Sequence, residues 1–297
     1  MSSEPGKRSP DAEILELTSI CVAAAEAGAR VLRDLFDRPR EVKLKGRIDL
    51  VTDADRAAEE RILNFLHERA PGIAVLAEES GAHGDGAAKA RFIVDPLDGT
   101  TNYAHGIPLF ACTVAAELKG VVVAGCTVDP TRGERFRAMR GGGAFLGRAH
   151  LTTMPAHRPA SEPPEKRLQV SVSEALSHAL ICTGFPYEKR NRLGEMIDAF
   201  GSFTEVARGT RRLGSAALDL AYLAAGRLDV FYELGLKPWD VAAGTLLVEE
   251  AGGTVTMFDG SPHQLNGGEI LASPPQLAAP AREVMASARA KVAAQTT

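Results

Sequence analysis

The stretch Arg91-Phe-Ile-Val-Asp-Pro-Leu-Asp-Gly-Thr-Thr-Asn-Tyr103 decides how this chain is read. Phe92 to Val94 is a short apolar strand that ends abruptly in two carboxylates, Asp95 and Asp98, separated by Pro96 and Leu97. Pro96 fixes its own φ and biases Asp95 towards an extended backbone. The turn that follows can aim both carboxylates at one point. Gly99-Thr100-Thr101 then offers backbone N–H groups and hydroxyls at the expected start of a short helix, where an anion such as phosphate is at home. Hard cations suit the carboxylates. Cation and phosphate in one turn point to phosphoryl chemistry. Alone, Asp-Pro-Leu-Asp-Gly-Thr would be no more than a turn.

Two further acidic sites stand in matching contexts. Ile73 to Ala77 is an apolar strand that runs straight into Glu78-Glu79-Ser80. Leu228 to Glu233 is another strand, Gly235 to Pro238 a loop, and Trp239-Asp240 opens an apolar helix through Val248. Acidic groups at three strand ends or helix starts are more than a solvated surface needs.

A chain of 297 residues with 45% hydrophobic and 24% charged content is a globular protein with a sizeable core, as one large domain or two closely packed ones. A net charge of -4 gives no global electrostatic reason to bind nucleic acid or an anionic membrane. The basic clusters Arg211-Arg212 and Arg132 to Arg140 read as solvated edges. No stretch is apolar enough to span a bilayer, and residues 1–10 lack the apolar core of a secretory signal and read as a disordered tail. Cys21, Cys112, Cys126 and Cys182 lie far apart, with no His at ligand spacing. They are expected as buried free thiols in a reducing cytoplasm, not as a zinc site.

Along the chain, residues 11–36 form an amphipathic helix with apolar residues at three- and four-residue steps. A short strand follows at 41–44. Thr52 is the candidate N-cap of a second helix that ends before Pro71-Gly72. Residues 110–118, 121–128 and 134–140 read as antiparallel strands, and Gly141-Gly-Gly143 as a turn. Pro155, Pro159, Pro163 and Pro164 mark 149–167 as a surface loop or subdomain boundary. Strands are then expected at 179–183, 228–233, 254–258 and 269–272. Helices are expected at 193–208, 215–225, 239–251 and 276–288, with Gly226 and Gly252 past two helix ends. The organisation predicted is an α+β subdomain 11–148, an α/β subdomain 168–290, and a tail 291–297.

With these motifs assembled, Glu78-Glu79-Ser80, Asp95 to Tyr103 and Trp239-Asp-Val-Ala-Ala-Gly244 together resemble the inositol monophosphatase family of metal-dependent phosphatases. Arg212-Leu-Gly-Ser-Ala-Ala-Leu-Asp219, Gly184-Phe-Pro-Tyr187 and Gly142-Gly-Ala-Phe145 add to the match. The resemblance implies a layered αβαβα sandwich like that of fructose-1,6-bisphosphatase, two or three Mg²⁺ per active site, lithium sensitivity and a homodimer. It makes Glu78, Asp95 and the Leu97 carbonyl ligands of a first metal. Asp95, Asp98 and Asp240 become ligands of a second, and a weaker third metal sits near Glu78. An all-oxygen set fits Mg²⁺.

Two Mg²⁺ ions about 3.5–4 Å apart acidify a water and stabilise a leaving alkoxide. By the same resemblance, Glu78 and the Thr100 hydroxyl orient and deprotonate the nucleophilic water, and Asp55 is a relay bonded to Thr100. The Gly99 and Thr100 amides hold the phosphate, beside Thr101. Glu233 meets the hydroxyls of the alcohol, and Gly214, Ser215 and Ala216 border its pocket. Ser215 also reads as a helix N-cap, and Trp239 as a packing anchor. Glu79 and Lys45 are supporting residues near the metals. One departure is the opening of Gly147-Arg148 into the Pro-rich segment, where the family turns briefly. His67 and His83 read as solvated, and His105 follows no ligand position.

The expected reaction is therefore hydrolysis of a small phosphate monoester, foremost inositol 1-phosphate. Histidinol phosphate, fructose 1,6-bisphosphate and 3′-phosphonucleotides are the same-scaffold rivals. From another class, the rival is a protein that acts by binding RNA or the transcription machinery, as some bacterial relatives do.

Overall fold

The computed structural model describes residues 10–38, 42–44, 50–85, 88–151, 164–185 and 192–296. Lys45, the expected tail 1–9 and most of the Pro-rich segment lie outside these residues.

Helix α1 (Pro10–Phe36) buries Leu17, Cys21, Ala24 and Leu32, the stripe its spacing demands. The short strands β1 (Val42–Leu44) and β2 (Leu50–Thr52) pair antiparallel. Thr52 caps α2 (Asp53–Arg69): its Oγ1 accepts from Ala54 N, and Asp55 Oδ2 accepts from Thr52 N at 2.8 Å. Such a reciprocal cap stabilises a helix by about 1 kcal/mol.

Eight strands follow: β3 (Ala74–Ala77), β4 (Gly81–His83), β5 (Ala90–Asp98), β6 (Ala111–Leu118), β7 (Val121–Asp129), β8 (Glu134–Met139), β9 (Gly143–Arg148) and β10 (Lys166–Arg167). They form one sheet in the order β10-β9-β8-β7-β6-β5-β3-β4, antiparallel except for the parallel pair β3 and β5. Helix α3 (Thr100–Ala104) interrupts the run between β5 and β6. The second half supplies β11 (Leu180–Thr183), α4 (Leu193–Val206), β12 (Gly209–Arg211), α5 (Ala216–Ala224), β13 (Val230–Leu234), α6 (Pro238–Glu250), β14 (Thr254–Thr256), β15 (Glu269–Ser273) and α7 (Pro275–Thr296). Its sheet runs β12-β11-β13-β15-β14, with β11 parallel to both β12 and β13.

Alternation along the strands stacks these elements into five layers. Phe92 and Val94 of β5 pack with α1 and α2, while Ile93 turns to the opposite face, towards α5 and α6. On β13, Phe231 faces α5 and α6, whereas Val230 and Tyr232 face α4 and α7. The order is α1/α2, eight-stranded sheet, α5/α6, five-stranded sheet, α4/α7: the expected αβαβα sandwich. Contact between the middle layers depends on Gly125, where a Cβ would stand 2.9 Å from Ala243 Cα. All four cysteines are buried and free.

Several expectations change. The Pro-rich segment ends as edge strand β10, pairing with Phe145 and Leu146. Arg132 to Arg140 are not merely solvated edges. Arg135 bonds Glu26 of α1 at 2.7 Å and Glu165 at 2.8 Å, Arg137 also grips Glu165, and Arg140 reaches Glu249 of α6. Glu165 lies just before β10, so the two arginines clamp the returning segment to the sheet. The last helix continues to Thr296, so most of the expected tail is helical.

Candidate active site

The decisive turn is built on a bulge. Strand β5 does not stop at Val94 but runs on to Asp98, with Asp95 opposite Thr113 and Asp98 opposite Ala111 of β6. One extra residue on β5 leaves Pro96 out of the ladder, where its missing N–H costs nothing. Leu97 N donates to Asp95 Oδ1 at 2.9 Å and closes the turn. Gly99 then takes φ +92° and starts α3. That helix is anchored by Tyr103, whose hydroxyl donates to Leu32 O and whose ring meets Phe110 edge-on at 4.8 Å. Asn102 Nδ2 donates to both Leu109 O and Leu213 O at 2.8 Å, tying α3 to the start of α5.

Asp240 arrives from the second half of the chain as the third residue of α6, after Pro238 in the first turn, with its Oδ2 accepting from Lys237 N at 2.7 Å. Oxygens of Asp95, Asp98 and Asp240 lie within 4.8 Å of one another. Burial raises the Asp95 carboxyl well above the usual range, and the negative charges of Glu78, Asp98 and Asp240 add to it. Burial likewise pushes Asp98 up to about 6, although Ser215 and the Ala217 N–H (2.8 Å) donate to its Oδ2. Asp240 is raised by burial and then by Asp98. Like charges crowded out of water are a standing cost unless a cation joins them. Oxygen-only donors, two of them on rigid turns, fit Mg²⁺ better than a soft metal.

A cleft of about 500 Å³ opens beside this cluster. The first half lines it with Glu78, Asp98 and Gly99, the second with Gly214, Ser215, Ala216, Glu233 and Asp240. Behind the wall, Thr100 Oγ1 lies 3.1 Å from Asp55 Oδ1 and 3.0 Å from Leu97 O. Asp55 is fully buried, and its other oxygen accepts from Thr52. Burial raises its pKa against these hydrogen bonds.

A family model described as the inositol monophosphatase family matches residues 13–293. The chain belongs to the inositol monophosphatase family. It is thereby a phosphatase, a hydrolase of phosphoric monoesters. An inositol-1-monophosphatase of Mesorhizobium japonicum is 42% identical over 84% of this chain and 88% of its own length. The Nus factor SuhB of Salmonella typhimurium is 39% identical over 88% and 92%. Among solved structures, the extragenic suppressor protein suhB of Bartonella henselae superposes with a TM-score of 0.81 at 38% identity, covering 90% of this chain and 97% of its own. The inositol monophosphatase of Anabaena gives 0.79 at 34%, covering 93% and 97%.

Within this phosphatase, most of the expected residues converge and a few do not. Asp95, Leu97 and Asp55 lie in the wall rather than the lining, each buried. Thr101 follows Thr100 in the first turn of α3. Glu79 faces away from the cleft, into a shallow groove with Arg56, Glu59 and Glu60, and its N–H donates to Glu59 at 2.9 Å. Ser215 occupies the N-cap position of α5, but its hydroxyl donates to Asp98 and makes no cap bond. Trp239 packs against the middle core and also lines the cleft.

Sequence reasoning missed Arg192, Lys237 and Arg212 in the lining. Arg212, expected as a solvated edge, is exposed yet leans over Gly214, its Nη1 2.6 Å from where a Gly214 Cβ would be. Its place two residues before Gly-Ser-Ala-Ala was the available signal. Asp219 was also missed: it is 1% exposed on α5 beneath the cleft, beside the Cys182 thiol.

The Thr100–Asp55 contact makes a quantitative prediction. Thr100→Val keeps the shape and removes the hydroxyl, so phosphate release should fall about 10–100-fold, the usual loss when a supporting hydrogen bond at a metal site goes. Steady-state kinetics at saturating Mg²⁺ checks this; unchanged kcat would remove Thr100 from the reaction.

Proposed function

We propose that this chain hydrolyses inositol 1-phosphate to inositol and phosphate in a Mg²⁺-dependent reaction. The observation that carries this reading is the triad Asp95, Asp98 and Asp240 beside a cleft that Glu233 also lines. Glu78, Asp95 and the Leu97 carbonyl would hold one cation, Asp95, Asp98 and Asp240 a second, and a third would sit near Glu78. When bound, the cations screen the phosphate dianion, lower the pKa of a water and stabilise the leaving alkoxide.

The side chains do the rest. The Thr100 hydroxyl donates to Asp55, which leaves its oxygen free to accept from the attacking water. Glu78, at the carboxyl end of the neighbouring parallel strand β3, orients that water and takes its proton. Amides at Gly99 and Thr100, unpaired within the first turn of α3, hold the phosphate oxygens. Attack is in line: the new P–O bond forms as the ester P–O bond breaks, and no phosphoenzyme intervenes. Glu233 accepts from the alcohol's hydroxyls, with Gly214, Ser215 and Ala216 as the facing wall. In this reading the protein is a lithium-sensitive cytoplasmic homodimer, the last point open to sedimentation.

Phosphate release should be measured with and without Mg²⁺ on inositol 1-phosphate, histidinol phosphate, fructose 1,6-bisphosphate and 3′-phosphoadenosine 5′-phosphate. A Mg²⁺-dependent preference for inositol 1-phosphate is expected. Preference for another of these esters would keep the metal site and replace the substrate.

A second reading rests on the relatives named Nus factor SuhB and on the suhB structure. Here the chain would also act by binding RNA or the transcription machinery. Any such role should survive Asp98→Asn, which removes hydrolysis alone.

A further inference from the structure

Gly184 follows β11 directly, and Glu233 sits near the end of β13; because Thr183 pairs with Tyr232, the two residues lie side by side at the carboxyl ends of parallel strands. Both line the cleft. Glu233 alternates with Tyr232, so it turns away from α4 and towards α5, where burial and then the charges of Asp219, Asp240, Arg212 and Asp98 act on its carboxyl. The space its carboxylate fills is the space a side chain at position 184 would need. A Cβ on Gly184 would stand 2.0 Å from Glu233 Oε1, 2.2 Å from Cδ and 2.3 Å from Oε2. No other atom is among its three nearest.

The backbone at Gly184 is not in the left-handed region, unlike Gly99 or Gly214. Any residue could adopt it, so conformation does not require glycine here. Room for the Glu233 carboxylate does. The obstructing atoms are the far end of a side chain, which can rotate away, whereas the strand ends cannot. A methyl group at 184 would therefore relocate the carboxylate and leave the sheet in place.

We propose that Gly184 is the positioning residue that sets selectivity for polyol phosphates, by seating the Glu233 carboxylate at the alcohol end of the cleft. The inference rests on the reading of Glu233 as the acceptor for substrate hydroxyls. Gly184 touches no reacting atom, and the metal cluster and the Thr100 turn stand on other elements. A shift of Glu233 is felt by a leaving group rich in hydroxyls and ignored by one without them.

The test is Gly184→Ala assayed on inositol 1-phosphate and on phenyl phosphate, whose leaving group has no further hydroxyl to recognise. kcat/KM for inositol 1-phosphate should fall at least about 10-fold, the loss of one to two good hydrogen bonds, while that for phenyl phosphate stays within about 2-fold. In a Glu233→Ala background the same substitution should add nothing, since the group it displaces is gone. Glu233→Asp, one methylene shorter, should relieve the contact, so the Gly184→Ala/Glu233→Asp pair should melt no lower than Glu233→Asp alone. That comparison stands even if Gly184→Ala alone folds poorly. Equal losses on both esters, or losses that add to those of Glu233→Ala, would overturn the assignment of Gly184. Wild-type protein with no preference for inositol 1-phosphate would instead sink the underlying substrate reading.

Discussion

Asp98→Asn should lower phosphate release by about 10³-fold and, without divalent cation, make the protein melt higher than wild type. The first effect follows from the proposed role of Asp98 as a ligand of the second cation: such a cation supplies several kcal/mol of charge stabilisation, and each 1.36 kcal/mol is a factor of ten. The second follows from burial. Asp98 is pushed up to about 6 from an ordinary 3.8, chiefly by burial. The folded state then holds a proton that the unfolded chain releases between these values. Metal-free stability accordingly falls as pH rises from about 4 through about 6, and the full cost stands at pH 7. Asn carries no charge, and its oxygen still accepts from Ser215 and the Ala217 N–H. The gain should be about 1–3 kcal/mol at pH 7, or several degrees, shrinking as pH falls towards 4. Added Mg²⁺ should raise the melting temperature of wild type and barely move the variant. Calorimetry in chelator and in Mg²⁺, beside the activity assay, checks both parts. Loss of activity with an unchanged Mg²⁺ response would show that Asp98 is no ligand.

Gly99→Ala should cost about 2–4 kcal/mol of stability and most of the activity. Two effects add. At φ +92° an L-residue is strained by about 1–2 kcal/mol. The new Cβ would also stand 3.0 Å from Leu109 O and 3.2 Å from Gly214 O. Both are backbone atoms, and Leu109 O is further pinned by Asn102. Nothing there can rotate aside, so the turn itself must move and carry the Thr100 hydroxyl and its amide with it. A displacement of an ångström at such a group costs about 10²-fold in rate. Gly120→Ala is the control: φ is +82° but nothing lies within 4 Å, so it reads strain alone. Urea unfolding of the two variants separates strain from contact, and equal losses would mean that Gly99 has room after all.

Much of this was legible before the structure. Thr52 announced itself as the N-cap of α2, because a cap depends only on local spacing, whereas its reciprocal bond with Asp55 was seen only in the structure. The long helices and the antiparallel strands of the first half were legible for the same reason: 3.6- and 2-residue periods are written in the chain. The reach of β5 through Pro96 was not, since a bulge is defined by its partner strand. Nor was the clamp of Arg135 and Arg137 on Glu165, which turns a Pro-rich loop end into an edge strand. Charges are visible in sequence, but their partners across a sheet are not. Arg212 was misjudged on the same ground: its own segment is exposed, and only the turn at Gly214 leans it over the cleft.

The donor chemistry was already written in the residue order: carboxylates at strand ends and helix starts, a Gly-Thr turn suited to an anion, and no nitrogen or sulfur ligand beside them. It was legible there because each feature is local. Packing of distant segments was needed to bring Asp240 of α6 onto Asp95 and Asp98 of β5, and to turn Glu78 into the lining of the cleft. Successive residues at a strand end point to opposite sides. Which side meets the site depends on how β3 lies against β5, a relation fixed by the packed core between the sheets.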